Sequence, residues 1–278
     1  MDIQIICIYC ICCELLLYFG VEDDTQCKMT SSEIMTFAIV SALFFQSNFA
    51  ITRRFFLAHR YFSRMLSHSK MSRRIHAIDP SLWECVFCIF SLLTKESNSS
   101  EYIIDSFPAP ACAPCRSKCC KLYHGKEYLG YCASKKMHYF GLKIHVMTTA
   151  SGIPVELRFT PAAYHDSKAL QCFDLDVRKG STIYGDKAYT SYAFEDDLKE
   201  FCGINLLPQR QKRMLRRHCE RISLLINYTR KRIETTFSQI TKLFPRSIAA
   251  RTAKGFELRI FLFILAFIFQ QYTSAFVS

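Results

Sequence analysis

The sequence contains few of the residues that mark fibrous, low-complexity or disordered chains. Of its 278 residues only 9 are glycine and 8 are proline, which excludes collagen-like and low-complexity classes. Hydrophobic residues make up 50% of the chain and charged residues only 22%, so most of it can bury a core and extensive disorder is excluded. No repeat recurs at a period of about 20–50 residues, which argues against solenoids and propellers.

Positive charge is absent from the start of the chain, where the first basic residue is Lys28. A cleaved signal peptide begins with a basic region, so this pattern does not predict one. The 15 cysteines are an odd number, whereas a small secreted scaffold has an even set of paired cysteines. We therefore expect reduced, mostly buried thiols and a cytoplasmic protein.

Uninterrupted hydrophobic runs long enough to cross a membrane are also missing. A spanning helix needs about 20 apolar residues. Ile260–Phe269 is shorter and follows charged residues, so it predicts a buried core helix. Ile5–Val21 is interrupted by Glu14 and leaves a membrane-associated protein as an alternative, although we expect no stable membrane association.

Positive charge is in excess over the whole chain. There are 36 Lys and Arg against 24 Asp and Glu, a net charge of +12, which favours a polyanionic partner such as nucleic acid. Seven basic residues and no acid lie between Arg53 and Arg74. Helical patterns surround them. Thr30 and Glu33 fit a capping box ahead of a segment near Ile34–Phe44, and further segments lie at Ile51–Leu66 and from about Ser69 past Ile78.

Three short helices with basic residues on the last two predict a helix-turn-helix module that offers Arg73 and Arg74 to a DNA groove. The alternative is a helical cap with a solvated basic face. The polar stretch Glu96–Ser100 is typical of a linker, so we predict a helical region over 1–96 and a second domain over 97–278.

The second domain alternates short strands with helices. Strands are predicted at Tyr102–Asp105, Tyr139–Thr148, Ile153–Thr160, Thr182–Tyr184 and Ile204–Leu207, and helices near 166–176, 192–202, 221–243 and after Lys254. Two of the early strands form a hairpin and the rest alternate with helices. The order predicts an α/β fold, a mixed sheet flanked by helices.

Three acids stand at special places in this order. Asp105 and Asp186 end strands, and Glu234 lies within the long helix. Carboxylates at one sheet edge can hold hard divalent ions, and two such ions promote phosphodiester displacement. Each acid also has a structural alternative: Asp105 capping a turn, Asp186 capping the next helix, and Glu234 pairing with Arg230 one turn away.

Seven fragments, in order, resemble DDE-type transposases of bacterial insertion sequences, which have a ribonuclease-H-like catalytic domain. The matching stretches are Ile104–Pro108, Ala133–Lys136, Gly141–His145, His165–Asp166, Ile183–Tyr189, Arg230–Thr236 and Thr252–Leu258. The resemblance implies that Asp105, Asp186 and Glu234 are the catalytic, metal-binding triad. Related transposases carry a Tyr-x₂-Arg-x₃-Glu-x₆-Lys pattern, in which this chain has Asn227 and Thr241 at the tyrosine and lysine positions.

The resemblance also implies the function. It predicts an enzyme that cleaves and transfers DNA strands at terminal inverted repeats, with Mg²⁺ or Mn²⁺ as cofactor. Its partner would be double-stranded DNA at the element ends and the target, at least a homodimer would act, and the protein would associate with the nucleoid while acting. The alternative is an inactive or repurposed DNA-binding protein.

A second basic segment lies next to Glu234. From Gln209 to Arg232 there are nine Lys and Arg and one acid. Such a stripe is typical of phosphate contact, with a solvated face as the alternative. The predicted DNA-binding residues here are Arg210, Lys212, Arg213, Arg216, Arg217, Arg230 and Lys231.

Two further patterns carry weaker predictions. Cys112, Cys115, Cys119 and Cys120 have a spacing that could hold zinc, but adjacent cysteines rarely bind one metal, so inert thiols are favoured. The resemblance places His165 near the active centre, whereas a lone histidine before a helix more often orients a turn.

Overall fold

The computed structural model describes residues 1–94, 99–133, 136–211 and 213–277. It divides the chain into two compact units. The first contains Met1–Thr94, Ile240–Ile248 and Lys254–Ser278, and the second contains Lys95–Gln239 and Ala249–Ala253. The division after Thr94 lies close to the predicted one after residue 96, although residues 95–98 of the linker region lie outside the described residues.

The sequence predicts a single domain from residue 97 to the end of the chain. In the structure Ile240–Ile248 and Lys254–Ser278 pack with the helical unit. This unit consists of α1 (Asp2–Tyr18), α2 (Ser31–Phe45), α3 (Phe49–His59), α4 (His68–Ala77), α5 (Pro80–Thr94) and α9 (Ala253–Val277).

Helix α2 forms the centre of the helical unit, with eleven of its residues buried. Its start is fixed by a capping box, since the Thr30 side chain accepts from the Glu33 N–H and the Glu33 carboxylate accepts from the Thr30 N–H. The predicted box is therefore confirmed. Among the described residues no single helix is long and apolar enough to span a membrane; two sharply bent pairs, α2 with α3 and α4 with α5, reach that length and composition only together.

Two predicted helix ends in this unit were wrong. The helix expected to reach Leu66 ends at His59, because Arg60 turns into the left-handed region. The helix expected to continue past Ile78 ends at Ala77, and a new helix starts at Pro80. Proline cannot continue a helix but fits the first turn of the next one.

The second unit is a six-stranded mixed sheet with helices, and it confirms the predicted ribonuclease-H-like α/β class. Its strands are β1 (Glu101–Cys112), β2 (Leu129–Cys132), β3 (Met137–Thr149), β4 (Pro154–Pro161), β5 (Thr182–Gly185) and β6 (Asn205–Pro208), and its helices are α6 (Asp166–Leu170), α7 (Tyr192–Asp197) and α8 (Glu220–Lys242). The strand order is β2-β3-β1-β5-β6, with β4 paired to β3.

Strand β1 is the centre of this sheet. It runs antiparallel to β3 over Tyr102–Cys112 and parallel to β5 only over Glu101–Ile104. The sequence predicted a strand that stopped at Asp105; the pairing with β3 carries it on to Cys112. Asp105 therefore lies inside β1, at the first position after its pairing with β5 ends.

The two faces of β1 pack against different helices. Tyr102 and Ile104 lie in a core cluster with Leu170 of α6 and Tyr189. Phe107 belongs to the other face, and its ring lies 4.9 Å from the ring of Phe237 in α8. Since side chains alternate along a strand, Asp105 shares the α8 face with Phe107, and Ser106 shares the opposite face with Ile104.

Candidate active site

The register of two parallel strands brings Asp105 and Asp186 together. Ile104 of β1 is the partner of Gly185 of β5, and the two aspartates are the next residue on each strand. Parallel strands end at the same edge of a sheet, where α/β proteins place their ligands. This pairing places Asp105 and Asp186 at one edge of the sheet.

A third strand adds an amide to the same edge. Gly185 is the partner of Pro208 in β6, and the next residue, Gln209, donates its N–H to the Gly185 carbonyl at 2.9 Å. Sequence reasoning missed Gln209 as a site residue. The available signal was its position directly after a strand that neighbours the strand of Asp186.

Arg230 of α8 contacts all three of these side chains. Its guanidinium lies 3.4 Å from Asp186 Oδ1 and 3.7 Å from Asp105 Oδ2, and it donates to Gln209 Oε1 at 3.0 Å. Only 19% of the Arg230 side chain is exposed. One cation from the helix therefore joins the ends of three strands.

Asn227 supports this arrangement from the preceding turn of α8. The Gln209 amide donates to Asn227 Oδ1 at 3.0 Å, which orients the amide so that its oxygen faces Arg230. Asn227 occupies the tyrosine position of the family pattern, and the neighbouring Tyr228 is exposed. The departure from the pattern thus places an amide where it can hold Gln209.

Burial has the largest effect on the pKa of Asp105. It raises the pKa of Asp105 to about 6, and the charges of Asp186 and Asp166 act in the same direction. The Ser106 N–H and the Arg230 guanidinium act in the opposite direction. Burial therefore outweighs the effect of the arginine on the pKa of Asp105.

Asp186 also caps the helical turn that follows it, which is the structural alternative expected for this residue. It is the N-cap of a short 3₁₀ turn over Lys187–Tyr189, and its Oδ1 accepts from the Lys187 N–H at 2.7 Å. The capping bond fixes the rotamer of a carboxylate that also faces Arg230. Capping and site roles are therefore compatible at this residue.

Glu234 lies apart from the other two acids. It follows Arg230 by one helical turn, so it is on the same side of α8, but its side chain is exposed. Over the part of the chain that the structure describes, no three His, Cys, Asp or Glu side chains form a group that could hold a metal ion. Arg230 forms its ion pairs with the two aspartates.

The donor chemistry of the aspartate pair fits a hard divalent cation. Both residues offer carboxylate oxygens, the ligands that Mg²⁺ prefers. The two carboxylates face one guanidinium, 3.4 and 3.7 Å away, so two acidic groups lie opposite a single cation. Asp105 and Asp186 are the residues that could hold a metal here, and Glu234 is the nearest further acid on α8.

Comparison with known proteins shows the family of the chain. The family described as Transposase DDE domain matches residues 96–269, which is more than half of the chain and includes Asp105, Asp186 and Glu234. The chain belongs to the DDE transposase family. Its recognition from seven sequence fragments is confirmed.

A curated relative of this DDE transposase is the transposase for insertion sequence element IS1106 of Neisseria meningitidis serogroup B. The two are 29% identical over 123 residues, which cover 41% of this chain and 40% of that protein. The matched stretch therefore spans less than half the length of the relative. No solved structure matches.

Three of the predicted DNA-binding arginines of the transposase are engaged within the protein, and Arg230, with its ion pairs to the two aspartates, is one of them. Arg210 is only 4% exposed, pairs with Glu195 and stacks on the Tyr192 ring. Arg216 forms two bonds of 2.6 and 2.7 Å to Asp196. In this arrangement Arg210 supports the fold, and DNA contact by Arg216 would require it to exchange partners.

The remaining predicted contacts are more accessible. Arg213, Arg217, Lys231 and Arg73 are exposed, whereas Lys212 lies outside the described residues. Arg74 is bound to Asp23 at 3.1 Å and to the Met29 carbonyl. The exposed cations are therefore the ones that can reach a phosphate without breaking an ion pair.

The cysteine pattern and His165 have no part in the acid site. Cys120 is buried and Cys112 half-buried, whereas Cys115 and Cys119 are exposed. Burial and contact with Cys120 raise the pKa of Cys112 to about 11, so that thiol is protonated at neutral pH. His165 is exposed at the start of α6, while its neighbour Asp166 faces inward.

Proposed function

We propose that this DDE transposase cleaves DNA at the ends of an insertion sequence and joins the freed 3′-hydroxyl to target DNA. The observation that carries the proposal is the register that aligns Asp105 and Asp186, with Arg230 contacting both. The family match and the insertion-sequence relative support the same activity.

In this mechanism Asp105 and Asp186 would hold a divalent metal ion, with Glu234 of α8 as the third acid. The chemistry supplied there by Mg²⁺, or by Mn²⁺ in its place, would be activation of the attacking oxygen and stabilisation of the leaving oxygen in phosphodiester displacement. Arg230 keeps the two aspartates aligned through its ion pairs, and Gln209 holds Arg230. These contacts fix the acids before DNA arrives, which limits the reorganisation needed during reaction.

DNA contact would come from the exposed cations. Arg213, Arg217 and Lys231 lie next to or on α8, the helix that carries Arg230. Contacts of this kind neutralise phosphates and make binding fall with salt. Arg73 on α4 would add contacts from the helical unit, and two element ends would require at least two protein copies.

The second candidate function is DNA binding without cleavage. One observation favours it: Glu234 is exposed and belongs to no metal-binding group within the described residues. A cleavage assay separates the two functions directly.

The test uses Asp186→Asn with duplexes made from the DNA that flanks the coding sequence. We expect Mg²⁺-dependent cleavage to fall by about 10³-fold, because one metal-binding oxygen is lost, with the DNA dissociation constant unchanged within about twofold. Asp197→Asn, the same substitution at an exposed acid, is the matched control. Full cleavage by Asp186→Asn, or DNA binding without cleavage by the unmodified protein, would overturn the proposed function.

A further inference from the structure

Behind Asp105, on the opposite face of β1, lies a polar cluster of Ser106, Lys143, His145, Asp166 and Tyr189, which we term the rear cluster. Ser106 and His145 are direct cross-strand partners in β1 and β3. His145 and Tyr189 are fully buried, and 17% of the Asp166 side chain is exposed. Burying a polar group costs free energy unless the group is hydrogen-bonded. A buried cluster whose members are hydrogen-bonded to one another therefore favours one specific arrangement.

Ser106 is the link between the rear cluster and the acid site. Its N–H donates to Asp105 Oδ1 at 2.8 Å, and its hydroxyl donates to Asp166 Oδ1 at 3.1 Å. One residue is therefore bound to the site carboxylate through its backbone and to Asp166 through its side chain. A rotation of the Ser106 peptide would disturb both bonds.

Asp166 has two further polar neighbours, of which Lys143 is the charged one. Lys143 Nζ lies 3.4 Å from Asp166 Oδ2 and donates to the Tyr164 carbonyl at 3.0 Å. His145 Nδ1 lies 3.6 Å from Asp166 Oδ1. Since burial lowers the pKa of His145 to about 4, the histidine is neutral at pH 7 and Lys143 is the cation that balances Asp166.

His145 and Tyr189 connect the rear cluster to the segment that carries Asp186. The His145 ring is fixed by Tyr189 Oη and Thr160 Oγ1, each at 2.9 Å from a ring nitrogen. Tyr189 closes the 3₁₀ turn that begins at Asp186, since its N–H donates to the Asp186 carbonyl at 3.0 Å. A continuous path of contacts thus joins the segments that carry Asp105 and Asp186.

We propose that Asp166 is a positioning residue for the acid pair, which holds the Asp105 and Asp186 segments in register through the rear cluster. It does not touch the reacting atoms; it acts through Ser106 on one side and through His145 and Tyr189 on the other. The inference rests on the proposed function for its effect on cleavage, but its effect on the two segments is independent of that function.

The test compares Asp166→Asn, which removes the charge facing Lys143, with Ser106→Ala, which removes the hydroxyl. We expect each to lower the single-turnover cleavage rate by about 10-fold or more while the DNA dissociation constant changes by less than about twofold. The double variant should be no slower than the slower single variant, because both changes act on one path. Ser106→Thr keeps the hydroxyl and should restore cleavage.

A second readout requires no cleavage. Amide hydrogen exchange in segments 101–112 and 185–190 should rise in Asp166→Asn, since both segments lose their common anchor. Asp176→Asn, the same substitution at an exposed acid, is the control and should change neither exchange nor cleavage.

The outcomes separate the positioning role from the proposed function. If the unmodified protein cleaves no DNA but Asp166→Asn loosens both segments, the positioning role stands and the proposed function fails. If the unmodified protein cleaves DNA and Asp166→Asn changes neither rate nor exchange, the positioning role fails alone. Additive losses in the double variant, or loss of global stability without a slower rate per folded molecule, would assign Asp166 a purely structural role and overturn the proposal.

Discussion

The second unit, which contains Asp105 and Asp186, is termed the catalytic unit. Two of its buried titratable side chains respond to pH in opposite directions. Burial raises the pKa of Asp105 to about 6, so its stabilising contribution is complete below its unfolded pKa of about 4 and is lost as pH rises through 6. Burial lowers the pKa of His145 to about 4, so its contribution is complete above about 6.5 and is lost as pH falls through 4. Between about pH 4 and pH 6 the two contributions to stability change in opposite directions.

Replacing Asp105 should isolate the pH dependence of stability that comes from His145. We expect Asp105→Asn, in the absence of divalent ions, to be more stable than the unmodified protein at pH 7 by about 1–3 kcal/mol, because a buried charge is removed. Its stability should fall more steeply from pH 7 to pH 5, since of these two groups only His145 remains to titrate. Urea denaturation with a chelator at both pH values measures this.

The control for Asp105→Asn is Asp176→Asn, which removes an exposed carboxylate and should leave the pH dependence unchanged. Lower stability of Asp105→Asn at pH 7 would mean that the pairing of Asp105 with Arg230 outweighs the cost of burying its charge.

The site residues differ in how far the sequence could reveal them. Asp105 and Asp186 were predicted because each ends a short strand signal in the sequence and matches the family pattern, although β1 continues past Asp105. Gln209 and Asp166 were missed because their roles depend on the register of β6 and on which face of β1 holds Ser106. Arg210 was predicted to contact DNA from the local charge density, but a basic run does not reveal that Glu195 and Tyr192 lie beside one member.

At the scale of elements, α8 is positioned by a contact with the β3–β4 turn. Thr236 Oγ1 donates to the Gly152 carbonyl at 3.2 Å. Gly152 has a φ of +93°, and a Cβ at this position would lie 2.5 Å from that same hydroxyl oxygen. The turn and the helix can approach this closely only because residue 152 has no side chain.

Substituting Gly152 should therefore disturb the helix that carries Arg230. We expect Gly152→Ala to cost about 2–4 kcal/mol of stability, from backbone strain and from the clash with Thr236, and to lower cleavage as α8 shifts. Gly180→Ala is a matched control, because Gly180 has a φ of +89° and no atom lies within 4 Å of the place that an alanine Cβ would occupy. Its cost should be about 1–2 kcal/mol, from strain alone.

Thermal and urea denaturation of both glycine variants checks this difference. Adding Thr236→Ala to Gly152→Ala should recover part of the loss, because the clashing oxygen is gone. Equal costs for the two glycine variants would show that the turn yields without moving α8.

Element boundaries were predictable where a local residue sets them. The capping box of α2 was found because Thr30 and Glu33 act over one turn. The length of β1 was underestimated because its last residues are held by β3, a partner far away in the sequence. β2 was missed for the same reason: it is four residues long and exists through pairing with β3.

At the scale of the whole chain, the helical unit is built from both ends of the sequence. Helix α9 buries Ile260 and the residues from Leu262 to Phe269. The Phe90 ring of α5 lies 5.2 Å from the Phe269 ring, and Gln4 of α1 donates to Thr273 at 2.9 Å. The sequence predicted a buried core helix over Ile260–Phe269, but periodicity does not reveal which helices cover it.

This arrangement predicts how the chain can be divided. A fragment of residues 95–278 would keep α9 but lose α1–α5, which leaves a large apolar helix exposed to water. We expect it to aggregate, whereas a fragment of residues 95–253, which lacks α9, should remain largely in the soluble fraction. Size-exclusion chromatography after expression of both fragments under the same conditions measures this. A monodisperse 95–278 fragment would show that α9 can be covered without the N-terminal helices, and the catalytic unit would then extend to the end of the chain, as the sequence predicts.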